Sequence, residues 1–194
     1  MPEKKHLLTF ILLLFGTLVW GQSGTYYKYD KTGATCTICI QKTGATINAN
    51  VFAWWHIPSG RNGNFSGKGI LKNNTCILKE EGGDTDCNVH LTFTSAKLLK
   101  VAFADCMEEN LPEDFSGTYK KITDIVRGTY TISTSASYFY KKPDLKSRSK
   151  AYLVQGNKVD VDIENIGGNG WVFINYTNAK GKTTSGYMLI STLK

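Results

Sequence analysis

Apolar and polar residues alternate along much of this chain, most clearly over residues 35–41, 88–93 and 159–164. Alternation with a period of two and one apolar face is typical of β-strands that cover a core. The predicted inward residues are Cys36, Ile38 and Ile40, then Val89, Leu91 and Phe93, then Val159, Val161 and Ile163. Glycine-rich breaks at 60–63, 81–84 and 167–170 separate such stretches, and we expect short antiparallel strands in barrels or sandwiches.

One short motif occurs twice. Ser23-Gly24-Thr25-Tyr26 returns 93 residues later as Ser116-Gly117-Thr118-Tyr119, a spacing too long for a solenoid repeat. We predict that the two copies begin edge strands that lie side by side when a barrel closes. The alternative is a chance recurrence of four residues that are common in strands.

The beginning of the chain has the pattern of an export signal. Lys4 and Lys5 precede a short apolar run over 7–19, and Val19-Trp20-Gly21 offers a cleavage point before Gln22. A membrane anchor is disfavoured, because about 13 apolar residues are too few to span a bilayer comfortably. We therefore expect a signal peptide over 1–21 and a secreted or periplasmic protein without a membrane span.

Charge divides the remaining chain into two parts. Residues 22–125 carry equal numbers of acidic and basic side chains, whereas residues 126–194 carry ten Lys and Arg against four Asp and Glu. This contrast predicts two domains, 22–122 and 128–194, of which the second meets anionic surfaces. A surface charge that only aids solubility is the alternative.

All five cysteines fall in the first predicted domain, where an oxidising compartment favours disulfides. Cys87 and Cys106 are expected on consecutive strands, and we favour them as one bridge. Cys36 with Cys76 is a second, weaker pairing, which leaves Cys39 as the odd thiol. Because residues three apart on a strand point to opposite faces, Cys36 and Cys39 are poorly placed to bond each other.

The inventory of reactive groups favours a protein without catalytic residues, cofactor or metal. His56 and His90 are the only histidines after the signal, and neither has a metal-ligand spacing. The acidic cluster over 108–114 could supply paired carboxylates, but a charge run of this kind is more often a solvated turn. Disulfide formation competes for the cysteines that a Cys-His nucleophile would need.

The last third of the chain resembles the bacterial Src-homology-3 type domain. The landmarks are an aromatic first strand at 136–145, Leu-Val-x-Gly-x-x-Val at 153–159, Gly-Trp at 170–171 and Gly186-Tyr187, where the family often has Trp. The resemblance implies a small barrel over 128–194 with a ligand groove near Tyr138, Tyr140, Trp171 and Tyr187. Alternatively, these aromatic residues pack against the first domain or complete a small core.

The first domain resembles, more loosely, exported β-barrel domains and periplasmic lysozyme inhibitors. The likeness rests on the Ser-Gly-Thr-Tyr edges and on a glycine-rich loop at 61–69, from which Ser66 and Lys68 would project. A plain hairpin turn is the alternative reading of that loop.

Together these features predict an all-β protein of a Gram-negative bacterium, with two small antiparallel barrels in tandem. We expect a non-catalytic binding protein of the envelope whose partner is peptidoglycan or an envelope protein, and not nucleic acid. The alternative function is inhibition of a lysozyme-like cell-wall hydrolase through residues 61–69.

Overall fold

The computed structural model describes residues 21–29, 32–55, 60–80, 86–165 and 170–194. The predicted signal peptide lies outside these ranges except for Gly21, and His56 lies outside them too. The described chain is all-β, with strands joined by turns and three short 3₁₀ segments. Within these ranges the chain forms no helix with the length and apolar character that a bilayer crossing requires.

The first eight strands form a closed antiparallel barrel in which each strand pairs with the next along the chain. They are β1 (Gly24–Tyr29), β2 (Thr35–Thr43), β3 (Thr46–Trp54), β4 (Asn62–Ile70), β5 (Thr75–Glu80), β6 (Asn88–Ser95), β7 (Leu98–Ala104) and β8 (Gly117–Thr123). Closure leaves no exposed sheet edge, because β8 pairs with β1. The prediction of an all-β fold with a closed barrel in the first part of the chain is confirmed.

Side chains fill the barrel. The alternating residues that the sequence placed inward on β2 and β6 belong to one buried cluster, which also holds the fully buried Tyr26 and Tyr119. An eight-stranded barrel has an interior just wide enough for side chains to fill. The hydrophobic burial of these residues is the main favourable contribution to the stability of this part of the chain.

The strands that begin with the two copies of Ser-Gly-Thr-Tyr pair with each other where the barrel closes, as predicted. The first begins β1 and the second begins β8, and these strands pair in antiparallel register with Tyr26 opposite Lys121. Each motif also has a lysine five residues after its serine, so that the repeated unit is Ser-Gly-Thr-Tyr-x-Lys at 23–28 and 116–121. We call these two segments the closure motifs.

Both closure motifs make equivalent hydrogen bonds to neighbouring parts of the barrel. Each serine hydroxyl accepts from the backbone of the adjacent strand, and each tyrosine hydroxyl donates to the carbonyl four residues earlier. The bonds are Lys42 N–H to Ser23 Oγ (3.0 Å), Phe103 N–H to Ser116 Oγ (3.0 Å), Tyr26 O–H to Gln22 O (3.0 Å) and Tyr119 O–H to Phe115 O (2.6 Å). The barrel therefore has a local two-fold relation at its seam, by which we mean the pairing of β1 with β8.

The lysines of the closure motifs cross the seam in both directions. Lys28 Nζ donates to Ser116 O at 2.7 Å, and Lys121 Nζ donates to Gly21 O at 3.0 Å. Gly24 and Gly117 have φ of 138° and 142°, and the Lys121 side chain occupies the space that a Cβ at residue 24 would need. Each lysine thus ties one closure motif to the segment that precedes the other.

The glycine-rich segment 61–69 is part of strand β4 rather than a loop, so the predicted projecting loop is wrong. Gly63 and Gly67 alternate with exposed residues and point into the barrel. A Cβ at residue 67 would lie 2.6 Å from Lys79 O and from the Phe65 ring. Glycine is required here because β5 and an aromatic ring approach the β4 backbone closely.

Residues 128–189 form a second antiparallel sheet with the strand order β11-β10-β14-β13-β12-β9. The strands are β9 (Gly128–Thr131), β10 (Ser137–Tyr140), β11 (Arg148–Leu153), β12 (Lys158–Asp162), β13 (Trp171–Thr177) and β14 (Thr183–Leu189). The sheet is not hydrogen-bonded into a closed barrel, which corrects the expectation of a second barrel. Its β9 edge instead pairs with the chain end, where Thr131 and Lys194 exchange backbone hydrogen bonds of 2.9 and 3.0 Å.

The second sheet has a core of its own. Eight buried residues form it, namely Ile132, Phe139, Leu153, Val159, Val161, Val172, Ile174 and Met188. The predicted inward side of β12 is confirmed for Val159 and Val161. Ile163, the next residue in that alternation, leaves this core and packs on the outer wall of the barrel.

A small cluster joins the outer barrel wall to the second sheet. Cys39 and Phe52 of the barrel are buried against Ile163, with Trp54 and Val126 packed beside them. We call this set the junction cluster. Next to it, the Thr25 hydroxyl donates to Ile125 O at 2.6 Å.

One disulfide forms among the five cysteines. Cys87 and Cys106 are bonded, as predicted, whereas Cys36, Cys39 and Cys76 are free and buried. The predicted Cys36–Cys76 bridge is therefore wrong. Both side chains point into the barrel, but Cys36 lies against the Tyr119 hydroxyl and Cys76 lies beside Gly69, so each is enclosed by different neighbours.

Candidate functional site

The second sheet has two unlike faces. Val172, Ile174 and Met188 point into its core, whereas Trp171 and Phe173, and also Tyr187, lie on the opposite side of the same strands. Because successive side chains on a strand alternate between faces, an apolar core on one side places the intervening residues on the other. Here the intervening residues are aromatic.

Aromatic rings cover this second face across four adjacent strands. They are Tyr152 on β11, Tyr138 and Tyr140 on β10, Tyr187 on β14, and Trp171 and Phe173 on β13. We call this set the aromatic stripe. None of its members belongs to the core of the second sheet or to the junction cluster.

The rings of the aromatic stripe meet mostly edge to face. Tyr140 and Trp171 have centroids 4.8 Å apart at 78°, and Phe173 and Tyr187 have centroids 5.1 Å apart at 82°. Tyr138 and Tyr152 lie 5.6 Å apart at 49°. Such pairs contribute about 0.5–1.5 kcal/mol each beyond the burial of their area. They hold the rings in fixed orientations.

Burial varies along the stripe. Tyr140 and Trp171 are each only 8% exposed, whereas Tyr152 is 55% exposed and the other three rings are partly buried. The stripe therefore combines a rigid buried base with rings that solvent can reach. A row of aromatic rings that is partly open to solvent is typical of interaction sites.

All four predicted groove residues lie on this face. Tyr140 stands directly opposite Tyr187 in the strand register, and Tyr140 also contacts Trp171. The predicted groove did not include Phe173 or Tyr152. Phe173 could have been found from the sequence, because it lies two residues after Trp171 in an alternating strand. Tyr152 could not, because its contact with Tyr138 depends on the pairing of β10 with β11.

Ser66 and Lys68, the predicted inhibitor residues, lie on the outer wall of the barrel. Both are exposed on β4, and the Ser66 hydroxyl accepts from Asn50 Nδ2 at 2.8 Å. Ser66 also lines a cleft of about 200 Å³ that Arg127 and Ile163 close on the other side. Neither Ser66 nor Lys68 projects from a loop, because β4 is a strand of the barrel.

A cavity of about 350 Å³ opens at one end of the barrel, between Trp55, Phe115 and the Cys36 thiol. Burial raises the pKa of Cys36 to about 12, which keeps the thiol protonated at neutral pH. Lys28, the cation of this cavity, donates to the carbonyls of Asp114 and Ser116. A protonated thiol and a lysine held by carbonyls do not supply an activated nucleophile.

The remaining candidates for chemistry are separate from one another. His90 is exposed on the outer side of β6. Within the described residues, one group with metal-ligand proximity is found, namely Cys87, Cys106 and Glu109, but its two sulfurs are bonded to each other. A disulfide offers no thiolate to a metal.

No family model matches this chain, and neither the curated proteins nor the solved structures contain a match.

Proposed function

We propose that this chain is an exported, non-catalytic binding protein of a bacterial envelope, and that the aromatic stripe holds an extended peptide of the cell wall or of an envelope protein. The aromatic stripe is the observation that carries the proposal. It provides a surface of aromatic rings in fixed orientations on a face that the core does not use. Extended peptides bind in this way to aromatic-lined grooves.

The ring geometry favours a peptide over a glycan. A sugar ring stacks on an aromatic ring whose face is open to solvent, whereas Tyr140 and Trp171 are nearly buried and cover each other edge to face. An extended peptide instead places its side chains against the rings of an aromatic-lined groove.

Export is supported by the disulfide as well as by the predicted signal. Cys87 and Cys106 are buried and bonded, and such bridges persist mainly in oxidising compartments. The alternative function, inhibition of a hydrolase through a projecting loop at 61–69, loses its basis because that segment is the barrel strand β4.

Retention on isolated peptidoglycan and on immobilised envelope proteins tests the proposal. Tyr187→Ala removes a partly exposed ring from the middle of the stripe, and we expect retention to fall at least about fivefold, as for a binding hot spot. Tyr29→Ala is the matched control, because Tyr29 is an exposed tyrosine of the barrel, 65% accessible. Equal retention of both variants, or no retention of the unaltered protein on either material, would contradict the proposal.

A further inference from the structure

Half of the side chains in the segment 141–150 are cationic. This basic segment connects β10 to β11 and continues into β11, and its cations are Lys141, Lys142, Lys146, Arg148 and Lys150. All five are exposed, and none forms an ion pair with any other described residue. Asp144 is the one acid of the segment, and its carboxylate accepts from the Lys146 backbone N–H at 3.1 Å. The segment has a net charge of +4.

The basic segment borders the aromatic stripe directly. Arg148 stands opposite Tyr140 in the strand register, and its guanidinium carbon lies 4.6 Å from the centre of the Tyr138 ring. A cation over a ring face in this range is attracted by the ring quadrupole. Lys150 and Tyr152 follow at alternate positions on the same face of β11. The β11 end of the stripe is therefore positively charged.

The opposite end of the stripe carries two acidic residues, and Lys158 lies on the same face of the same strand. On β12, Asp162 stands opposite Phe173, and Asp160 stands opposite Asn175. The Thr129 hydroxyl donates to Asp160 at 2.6 Å, so this carboxylate is held in place. A chain that crosses the stripe from β11 to β12 thus passes from a cationic edge, over aromatic rings, to the carboxylates of Asp162 and Asp160.

This arrangement selects against two simple kinds of ligand. A basic chain is repelled at the β11 end, and a uniformly charged polyanion meets Asp160 and Asp162 at the other end. The complementary ligand has carboxylates at one end only and apolar or neutral side chains over the rings.

We propose that the occupant of the aromatic stripe is an extended segment of a protein partner with a cluster of acidic residues at one end, which lies over Arg148 and the basic segment. This inference rests on the proposed function and names the chemistry of its ligand. Arg148 is its central contact, since a guanidinium that is already oriented by a ring presents a fork that matches a carboxylate.

Peptide binding to the full chain tests the inference. The probes are two fluorescent twelve-residue peptides with the same proline- and leucine-containing half, joined either to four glutamates or to four glutamines. We expect the glutamate peptide to bind at least about tenfold more tightly at low salt, and this ratio to shrink at high salt because exposed charges are screened. Equal affinity of the two peptides would overturn the inference.

The cations are tested with matched variants. Arg148→Gln with Lys150→Gln is expected to weaken binding of the glutamate peptide about tenfold and to weaken binding of the glutamine peptide much less. Lys180→Gln with Lys182→Gln, exposed on the turn between β13 and β14, is the control and should change neither. An equal loss in both double variants would show a non-specific charge effect and overturn the inference.

Two further outcomes separate this inference from the proposed function. If peptidoglycan retains the protein through Tyr187 but neither peptide binds, the partner segment is wrong while the aromatic stripe still binds. Polyphosphate tests whether charge alone is enough for binding. If it binds as tightly as the glutamate peptide, and binds the Tyr187→Ala variant equally well, the acidic peptide segment is not the occupant.

Discussion

Three buried side chains of the barrel, Cys36, Tyr26 and Tyr119, are weak acids that burial keeps protonated. Burial raises the pKa of the Cys36 thiol to about 12, and burial together with the neighbouring Cys36 thiol raises the pKa of Tyr119. Burial also raises the pKa of Tyr26 to about 12. A buried neutral acid of this kind resists ionisation because its anion would lose hydration.

These raised pKa values predict a loss of stability in alkali. Below pH 9 the Cys36 thiol is protonated in both the folded and the unfolded chain. Between its ordinary value of 9.0 and about 12 only the unfolded chain releases the proton, so the free energy of unfolding falls as pH rises. One such group contributes a slope of up to about 1.4 kcal/mol per pH unit.

Urea unfolding at a series of pH values between 8 and 11.5 measures this slope. Cys36→Ser removes the ionisable thiol and is expected to unfold with a shallower pH dependence than the unaltered protein, whatever its absolute stability. Parallel slopes for the two proteins would show that Cys36 is not the group concerned.

At the scale of elements, the closure of the barrel depends on the contacts of the repeated closure motifs. Their serines accept from the neighbouring strands β2 and β7 and their tyrosines donate to the residue before each motif, whereas Lys28 and Lys121 reach across the pairing of β1 with β8. Lys121 is in addition 2.5 Å from the Asp124 carboxylate. Hydrogen bonds from charged donors contribute about 1.5–3 kcal/mol, and less where solvent competes.

Replacing either seam lysine should weaken the barrel. We expect Lys28→Met and Lys121→Met each to lower the free energy of unfolding by about 1–2 kcal/mol, because the partly buried carbonyls of Ser116 and Gly21 lose a charged donor. Lys120→Met is the matched control, since Lys120 is exposed on the same strand as Lys121, and it should change stability by less than about 0.5 kcal/mol. A similar loss in all three variants in chemical denaturation would contradict a role for the seam.

At the scale of the whole molecule, the barrel and the second sheet meet through the junction cluster and the cleft beside Ser66. The solvent exposure of the Cys39 thiol is a measure of this contact. Its thiol lies on the outer side of β2, yet it is only 2% exposed, and Thr25 Oγ1 lies 3.1 Å from it. The other two free thiols, Cys36 and Cys76, belong to the barrel interior.

Opening the junction should therefore expose one thiol of the three. Ile163→Asp places a charge in the junction cluster, and we expect alkylation of Cys39 to accelerate at least about tenfold, because a buried unpaired carboxylate is costly. Cys36 and Cys76 should stay protected. Ile77→Asp, at a position 50% exposed on the barrel wall, is the control.

A short pulse of iodoacetamide followed by peptide mass mapping distinguishes the outcomes. Acceleration at Cys39 alone supports a separable junction. Equal acceleration at all three thiols would mean that the variant unfolds the barrel, and protection of all three would mean that Ile163 does not shield Cys39.

Local residue patterns were enough to predict the strand content, the inward faces of β2 and β6, the Cys87–Cys106 bridge and the pairing of the two closure motifs. Each of these depends on strand alternation or on the order of neighbouring strands, and the sequence contains both. The four aromatic residues of the predicted groove came from the resemblance to the bacterial Src-homology-3 type domain, and they lie on the face opposite the apolar core.

Other features depend on strands that are distant in the sequence. Whether Cys36 reaches Cys76, whether β4 projects as a loop and which ring faces Tyr138 all follow from the curvature and register of the closed barrel and the second sheet, which no short segment encodes. The burial of Cys39 is the clearest case. Its position on β2 indicates an outward, polar side, and only the packing of Val126, which precedes β9, and Ile163, which follows β12, makes that side part of the interior.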